Sequence, residues 1–175
     1  QPYEVIGSPR LNYLKGLEAP QPSPPKVLIN SNFTYGLYTK IKKKWLNEAI
    51  HACRNVGVDF TVSTHPSDKQ NTHPKQESST KDLYTLLKES SLVISRFSTV
   101  ILESLALNRP VIYFNPHQER QDTFQNPMGA YKICTNKHDL QQEIRRVLGQ
   151  TDTPQGQCSD FFNHHVYDEP ATTPA

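Results

Sequence analysis

The chain has 175 residues, 35% of them apolar, enough for one domain with a real core. A net charge of +2 is too small for a general nucleic-acid binder, and no run approaches the 18 or so apolar residues of a membrane-spanning helix. Cys53, Cys134 and Cys158 are odd in number, widely spaced and without a CxxC pair, so they form neither a disulfide framework nor a metal knuckle. Together with the lack of a secretory signal, that usage points to a reducing cytoplasm.

In chain order, Tyr3 to Ile6 reads as a strand, followed by the turn Gly7-Ser8-Pro9-Arg10 and a short apolar segment through Leu14. Ala19 to Pro25 is a Pro-rich extended connector. Lys26 then opens the buried strand VLIN, which ends at Asn30 in the polar and aromatic loop SNFTYGLYT. In residues 40–56, Ile41, Trp45, Ala49 and Ala52 recur at helical spacing, with Gly57 as the stop. Asp59 to Ser63 reads as the next strand, ending at Thr64-His65-Pro66. Residues 67–78 are polar, without periodicity, and read as a mobile loop. Thr80 to Glu89 reads as helix, Leu92 to Ile94 as strand, 99–107 as helix and Val111 to Phe114 as strand. A long loop from Asn115 to Gly129 leads to a short strand, Tyr131 to Cys134. Asn136 caps the helix of TNKHDLQQEIRRVL, with Asp139 three residues on. Residues 149–175 read as loop or tail apart from the aromatic patch FFNHHVY, so the domain is expected over 1–150 and a tail over 151–175. Both ends read as cut from a longer protein. Alternating strand and helix predict an α/β fold with a mainly parallel sheet and helices on both faces.

Such sheets bind ligands beyond the carboxyl ends of their strands, so the loops there hold the candidate groups. The first, Asn30 to Gly36, offers Asn30, Asn32 and Thr34 beside a glycine. Ordinary turn chemistry is the competing explanation. The second is His65-Pro66, a hydrogen-bond donor for a phosphate on a stiffened turn. The third is Arg96 to Glu103: Arg96, Ser98 and Thr99 present a cation, hydroxyls and helix N–H groups to a phosphate, with Glu103 one turn on for a ribose. The alternative is that Ser98 or Thr99 merely caps the helix. The fourth is residues 115–126, with Asn115 and His117 as substrate-contacting candidates and Glu119, Arg120 and Asp122 beside them. Lys40 to Lys44 reads as the solvated start of a helix, with contact to anionic lipid as the alternative. His164 and His165 lack metal-ligand spacing. Phosphate-loop, dinucleotide and serine-elbow motifs are missing, which disfavours kinase-like, redox and serine-hydrolase chemistry.

Four pieces, GSPR at 7–10, VLINSNFTYG at 27–36, THPSD at 64–68 and ISRFSTVILESLALNRPVIYF at 94–114, resemble the C-terminal domain of GT-B glycosyltransferases of bacterial surface polysaccharide synthesis. The resemblance spans most of residues 3–148 and implies a Rossmann-like domain forming one half of a two-domain GT-B architecture. A His-Pro motif paired with a Ser/Thr motif is similar to CMP-sialic acid and CMP-Kdo transferases, and CDP-glycerol-type transferases are a further relative. Carried over, His65 contacts the donor phosphate, Ser98 and Thr99 hold the phosphate or ribose, and Glu103 takes the ribose hydroxyls. The resemblance further implies a nucleotide-sugar donor, CMP-linked by preference, and a glycan or glycolipid acceptor. The catalytic base would come from an N-terminal domain of the same protein, and no obligatory metal is expected. Neither nucleic acid nor more than peripheral membrane contact is expected, with the protein in the cytoplasm or at the inner face of the membrane. UDP-N-acetylglucosamine 2-epimerases share a similar His-Pro loop and acid-bearing helix. Ser98-Thr99 stands here where they carry a Gly-Gly pair, which counts against epimerase chemistry. A nonenzymatic nucleotide-binding module is the other alternative.

Overall fold

The computed structural model describes residues 8–31, 33, 39–64, 78–79, 81–150 and 156–166. Its elements are α1 (Pro9–Lys15), β1 (Lys26–Ser31), α2 (Thr39–Val56), β2 (Asp59–Thr64), β3 (Ser78–Ser79), α3 (Leu83–Lys88) and β4 (Leu92–Ser95). They continue with α4 (Val100–Ala106), β5 (Val111–Phe114), α5 (Asp122–Gln125), β6 (Lys132–Cys134), α6 (Lys137–Leu148) and α7 (Asp160–His165). A single 3-10 turn, Gly156–Cys158, precedes α7.

The six strands lie in the order β3-β2-β1-β4-β5-β6, and every pairing is parallel. This is the Rossmann order, with the chain reversing its direction of travel between β1 and β4. Strand periodicity explains how both faces of the sheet are covered, because successive side chains point to opposite sides. Leu28, Val93, Val111 and Tyr113 join one core with α1, α3, α4 and α7. Val27, Ile29, Leu92, Ile94, Ile112 and Phe114 join the other with α2 and α6. Strands buried on both faces must be continuously apolar, and VLI, LVI and VIYF are.

Each helix has a local cause. In α2, Trp45, Leu46, Ala49 and Cys53 fall on the sheet-facing stripe, and Gly57 ends the helix at φ +78°, where a Cβ would be strained. The Trp45 indole donates to the Phe114 carbonyl at 2.9 Å, which satisfies the polar tip of a buried ring. Asn136 caps α6 as expected, its side chain accepting from the Asp139 N–H at 2.9 Å. Asp82 caps α3 in the same way through the Thr85 N–H, at 3.0 Å.

Four expectations change. The segment through Leu14 is a helix, α1, with Pro9 at its start, where a missing N–H costs nothing. The loop expected through residue 78 ends in Ser78 and Ser79, which pair with Val62 and Ser63 as β3. The long loop after β5 contains α5. The tail is not all tail: Phe161 and Phe162 of α7 are fully buried in the α4 face core. The strand expected at Tyr3 to Ile6 lies outside the described residues.

Arg109 holds the opposite end of the sheet. Its guanidinium donates to the carbonyls of Leu87, Lys88 and Pro20 at 3.2, 2.9 and 2.8 Å, which ties α3 and the Pro-rich connector to the start of β5. Asn108 before it turns through φ +53°, a left-handed conformation that asparagine tolerates. The Asn-Arg-Pro-Val stretch is therefore a structural clamp at the N-terminal ends of the strands, away from the ligand edge.

Candidate functional site

Open parallel sheets bind ligands beyond the carboxyl ends of the strands where the chain reverses, here between β1 and β4, and the polar residues of both strands sit at that edge. Asn30 and Ser95 are register partners, and the Asn30 amide donates to the Ser95 hydroxyl at 3.1 Å. Ser31, the last residue of β1, is only 1% exposed, and its hydroxyl has no hydrogen-bond partner. The Tyr113 hydroxyl near the end of β5 is also buried and unpartnered. Burial, and then the charge of Glu119, push the Tyr113 phenol up to about 12. Buried hydroxyls normally find partners, so each of these two is a polar group left unsatisfied near the carboxyl ends of the strands.

Arg96 follows directly on β4. Its side chain and that of Glu119 are 4% and 3% exposed, and they form a bidentate pair, with Nε to Oε1 at 3.1 Å and a second nitrogen to the same oxygen at 2.5 Å. The guanidinium lies over the Phe33 ring at 4.0 Å and the Phe97 ring at 4.8 Å. Asn115 fixes the loop that delivers Glu119: its amide donates to the Glu119 carbonyl at 3.0 Å, and its oxygen accepts from the Glu119 N–H at 2.8 Å. Gln118, in left-handed conformation at φ +54°, completes the turn. Phosphate would meet an arginine whose charge is already balanced, so Arg96 orders this edge of the sheet together with its loop.

Glu103 is fully buried on α4, and the guanidinium of Arg10 from α1 pairs with it. Arg10 itself stays 54% exposed and also lies near the Tyr84 ring. A ribose reaching Glu103 must displace Arg10, or else meet Arg10 first. Thr99 at the head of α4 is exposed and makes no capping bond, while the Ser98 hydroxyl accepts weakly from the Val100 N–H at 3.2 Å. Thr99 is thus not the side-chain cap that was the alternative reading, and its hydroxyl stays available.

The structure therefore brings Asn30, Arg96, Ser98, Thr99, Glu103 and Asn115 to one edge of the sheet. His117 is half-buried on the same loop as Asn115, with Nε2 unpartnered. Asn32, Thr34, His65 and Pro66 lie outside the described residues. Ser31 belongs to the first candidate loop, whereas Ser95, Tyr113 and Arg10 were not singled out. The signal for Ser95 and Tyr113 is a polar tip ending or interrupting a run of buried apolar residues. Nothing in the sequence pairs Arg10 with Glu103, which stand on different helices. Among the described residues no group of His, Cys, Asp and Glu could hold a metal ion. Cys53 and Cys134 are buried and free, and burial pushes both thiols up to about 12, which leaves them unreactive at neutral pH.

No protein-family model and no curated protein matches the chain. Several solved structures do, among them the following two. One is the wall teichoic acid polymerase TagF, at 17% identity over 89% of this chain and 42% of that one, with a TM-score of 0.49. The other is a Listeria monocytogenes protein described as a UDP-N-acetylglucosamine 2-epimerase, at 17% identity over 91% of this chain and 44% of that one, with a TM-score of 0.53. The second match establishes a shared fold. The chain is a Rossmann-like α/β unit, and it spans less than half the length of either structure. Among the described residues no helix is long and apolar enough to cross a membrane.

Proposed function

We propose that this chain is the donor-binding half of a glycosyltransferase that takes a sugar from a nucleotide-activated donor during surface polysaccharide assembly. The observation that carries the reading is the β1–β4 reversal, where Asn30 and Ser95 bond across the two strands and the unpartnered Ser31 hydroxyl ends β1. Nucleotides bind at such reversals in open parallel sheets. A buried hydroxyl without a partner gains one when a ligand arrives. In this reading Ser98 and Thr99 hold the phosphate together with His65-Pro66, and Asn32, Thr34 and His117 line the approach of the sugar. Glu103 acts on the ribose directly or by presenting Arg10. The preference for a CMP-linked donor rests on the His-Pro and Ser/Thr motifs. The acceptor, a glycan or glycolipid, and the base that deprotonates it belong to an N-terminal half across the cleft, at the cytoplasmic face of the membrane. This half contributes stabilisation of the departing phosphate, and no metal is required for that.

A UDP-sugar 2-epimerase is the second reading, favoured by the structural likeness to the Listeria protein. Calorimetric titration with CMP, CDP, UMP and UDP separates the two. Selective cytidine binding is expected; selective uridine binding would move the epimerase reading to the front. Ser31→Ala adds a test of this sheet edge itself. It should leave thermal stability unchanged or slightly higher, because an unpaired buried hydroxyl contributes nothing in the empty protein. It should also weaken nucleotide binding several-fold. Loss of stability with unchanged affinity would remove Ser31, and with it the end of β1, from the site.

A further inference from the structure

A second polar feature lies on the outside of the α2–α6 layer. Lys40, Lys43, Lys44, Glu48 and His51 share one face of α2 by their spacing of three and four, and Lys137 opens α6 beside them. Together they line a groove of about 460 Å³. Lys40 and Lys137 stand in the first turns of α2 and α6, so the N–H termini of both helices add to the same positive field.

The charge there is concentrated. The whole chain carries +2, yet this groove gathers four lysines against one glutamate. Glu48 is 4.0 Å from Lys44 alone. Among the described residues Lys40, Lys43 and Lys137 have no carboxylate partner. Asp139, the nearby acid of α6, is engaged by the Asn136 amide at 2.7 Å. A solvated helix face normally intersperses both signs. This one does not.

We propose that the groove binds a phosphate-bearing anion in free solution. Lysine ammonium groups serve phosphate as mobile point charges, and four around one concavity focus the field on an anion carrying several phosphates. Among the described residues the lining has no aliphatic, Phe, Tyr or Trp side chain, whereas surfaces that dock on bilayers place apolar residues beside their lysines. The site shares no lining residue with the β1–β4 edge and does not depend on the nucleotide reading.

Calorimetric titration of the intact chain with inorganic tripolyphosphate tests it, alongside sedimentation with phosphatidylglycerol vesicles. Tripolyphosphate should bind, more weakly as salt rises. The triple variant Lys40→Gln, Lys43→Gln, Lys137→Gln should lose at least about ten-fold in affinity. The corresponding arginine variant should retain it, and the circular dichroism of both should be unchanged, since all three positions are exposed. No tripolyphosphate binding by the native chain, equal binding by the glutamine variant, or binding to vesicles alone would each overturn the proposal.

Discussion

Arg96 and Glu119 illustrate how a charged pair can hold a ligand edge without itself being the ligand contact. The two meet through a loop pinned by Asn115, beneath the rings of Phe33 and Phe97. Removing one partner strands the other charge in a buried place, whereas removing both does not. Glu119→Ala should therefore destabilise the domain by about 3–5 kcal/mol, and Arg96→Met in the Glu119→Ala background should restore a large part of that. Thermal unfolding of the two single variants and the double variant measures the coupling. Strictly additive losses would mean that the pair is not the organising contact. That Arg96 lies at a strand end was legible from LVIS followed by Arg. Its partner was not, because any of Glu119, Asp122 or more distant acids fits the sequence equally well. Pairing over 23 residues is decided by how the loop folds back.

Elements were legible where periodicity is long. The stripe of α2 over eighteen residues and the capped twelve-residue α6 announce themselves, because apolar spacing of three and four repeats several times. Short pieces do not. β3 has two residues and α7 six, too few for any period to show, and both owe their structure to the surface that receives them. Phe161 of α7 packs edge-on against Tyr131, with ring centroids 5.0 Å apart, and lies 6.3 Å from the Phe124 ring. Its burial ties α7 to the α4 face of the core. Phe161→Ala should cost about 3–5 kcal/mol, whereas Asn163→Ala on the exposed side of the same helix should be near neutral. Urea unfolding compares them, and equal small effects would mean that α7 is only loosely attached.

At the scale of the whole molecule, Glu143 and His165 are two buried or half-buried groups through which stability responds to acid, and both act in one direction. Glu143, buried on α6, accepts bonds from Arg146 at 2.9 and 2.5 Å, and these hold its carboxyl below the ordinary value of 4.5. A lowered carboxyl contributes stability above its unfolded value, and that contribution is lost as pH falls through the lowered one. His165 on α7 is held below 6.5 by burial and then by His164, so unfolding takes up a proton once the pH drops below that value. Stability from His165 is complete above about 6.5 and declines beneath it. Urea midpoints should therefore decline from pH 7.5 to 5.5 and again below pH 4.5. His165→Gln should flatten the first step and Glu143→Gln the second. Midpoints unchanged over the whole range would contradict both assignments.

What the sequence by itself determined is the alternation of continuous apolar strands with amphipathic helices, hence the parallel α/β class, and which loops follow strand ends. These are consequences of side-chain periodicity within single segments, and each segment carries its own evidence. The tertiary structure alone decided the strand order, and with it the point between β1 and β4 where Asn30 and Ser95 meet. It alone decided that Arg10 covers Glu103, that Glu119 answers Arg96, and that Lys137 stands beside the lysines of α2. Those are contacts between segments far apart in the chain. Their partners are selected by shape, charge and burial once the sheet has formed, and no local spacing encodes that selection.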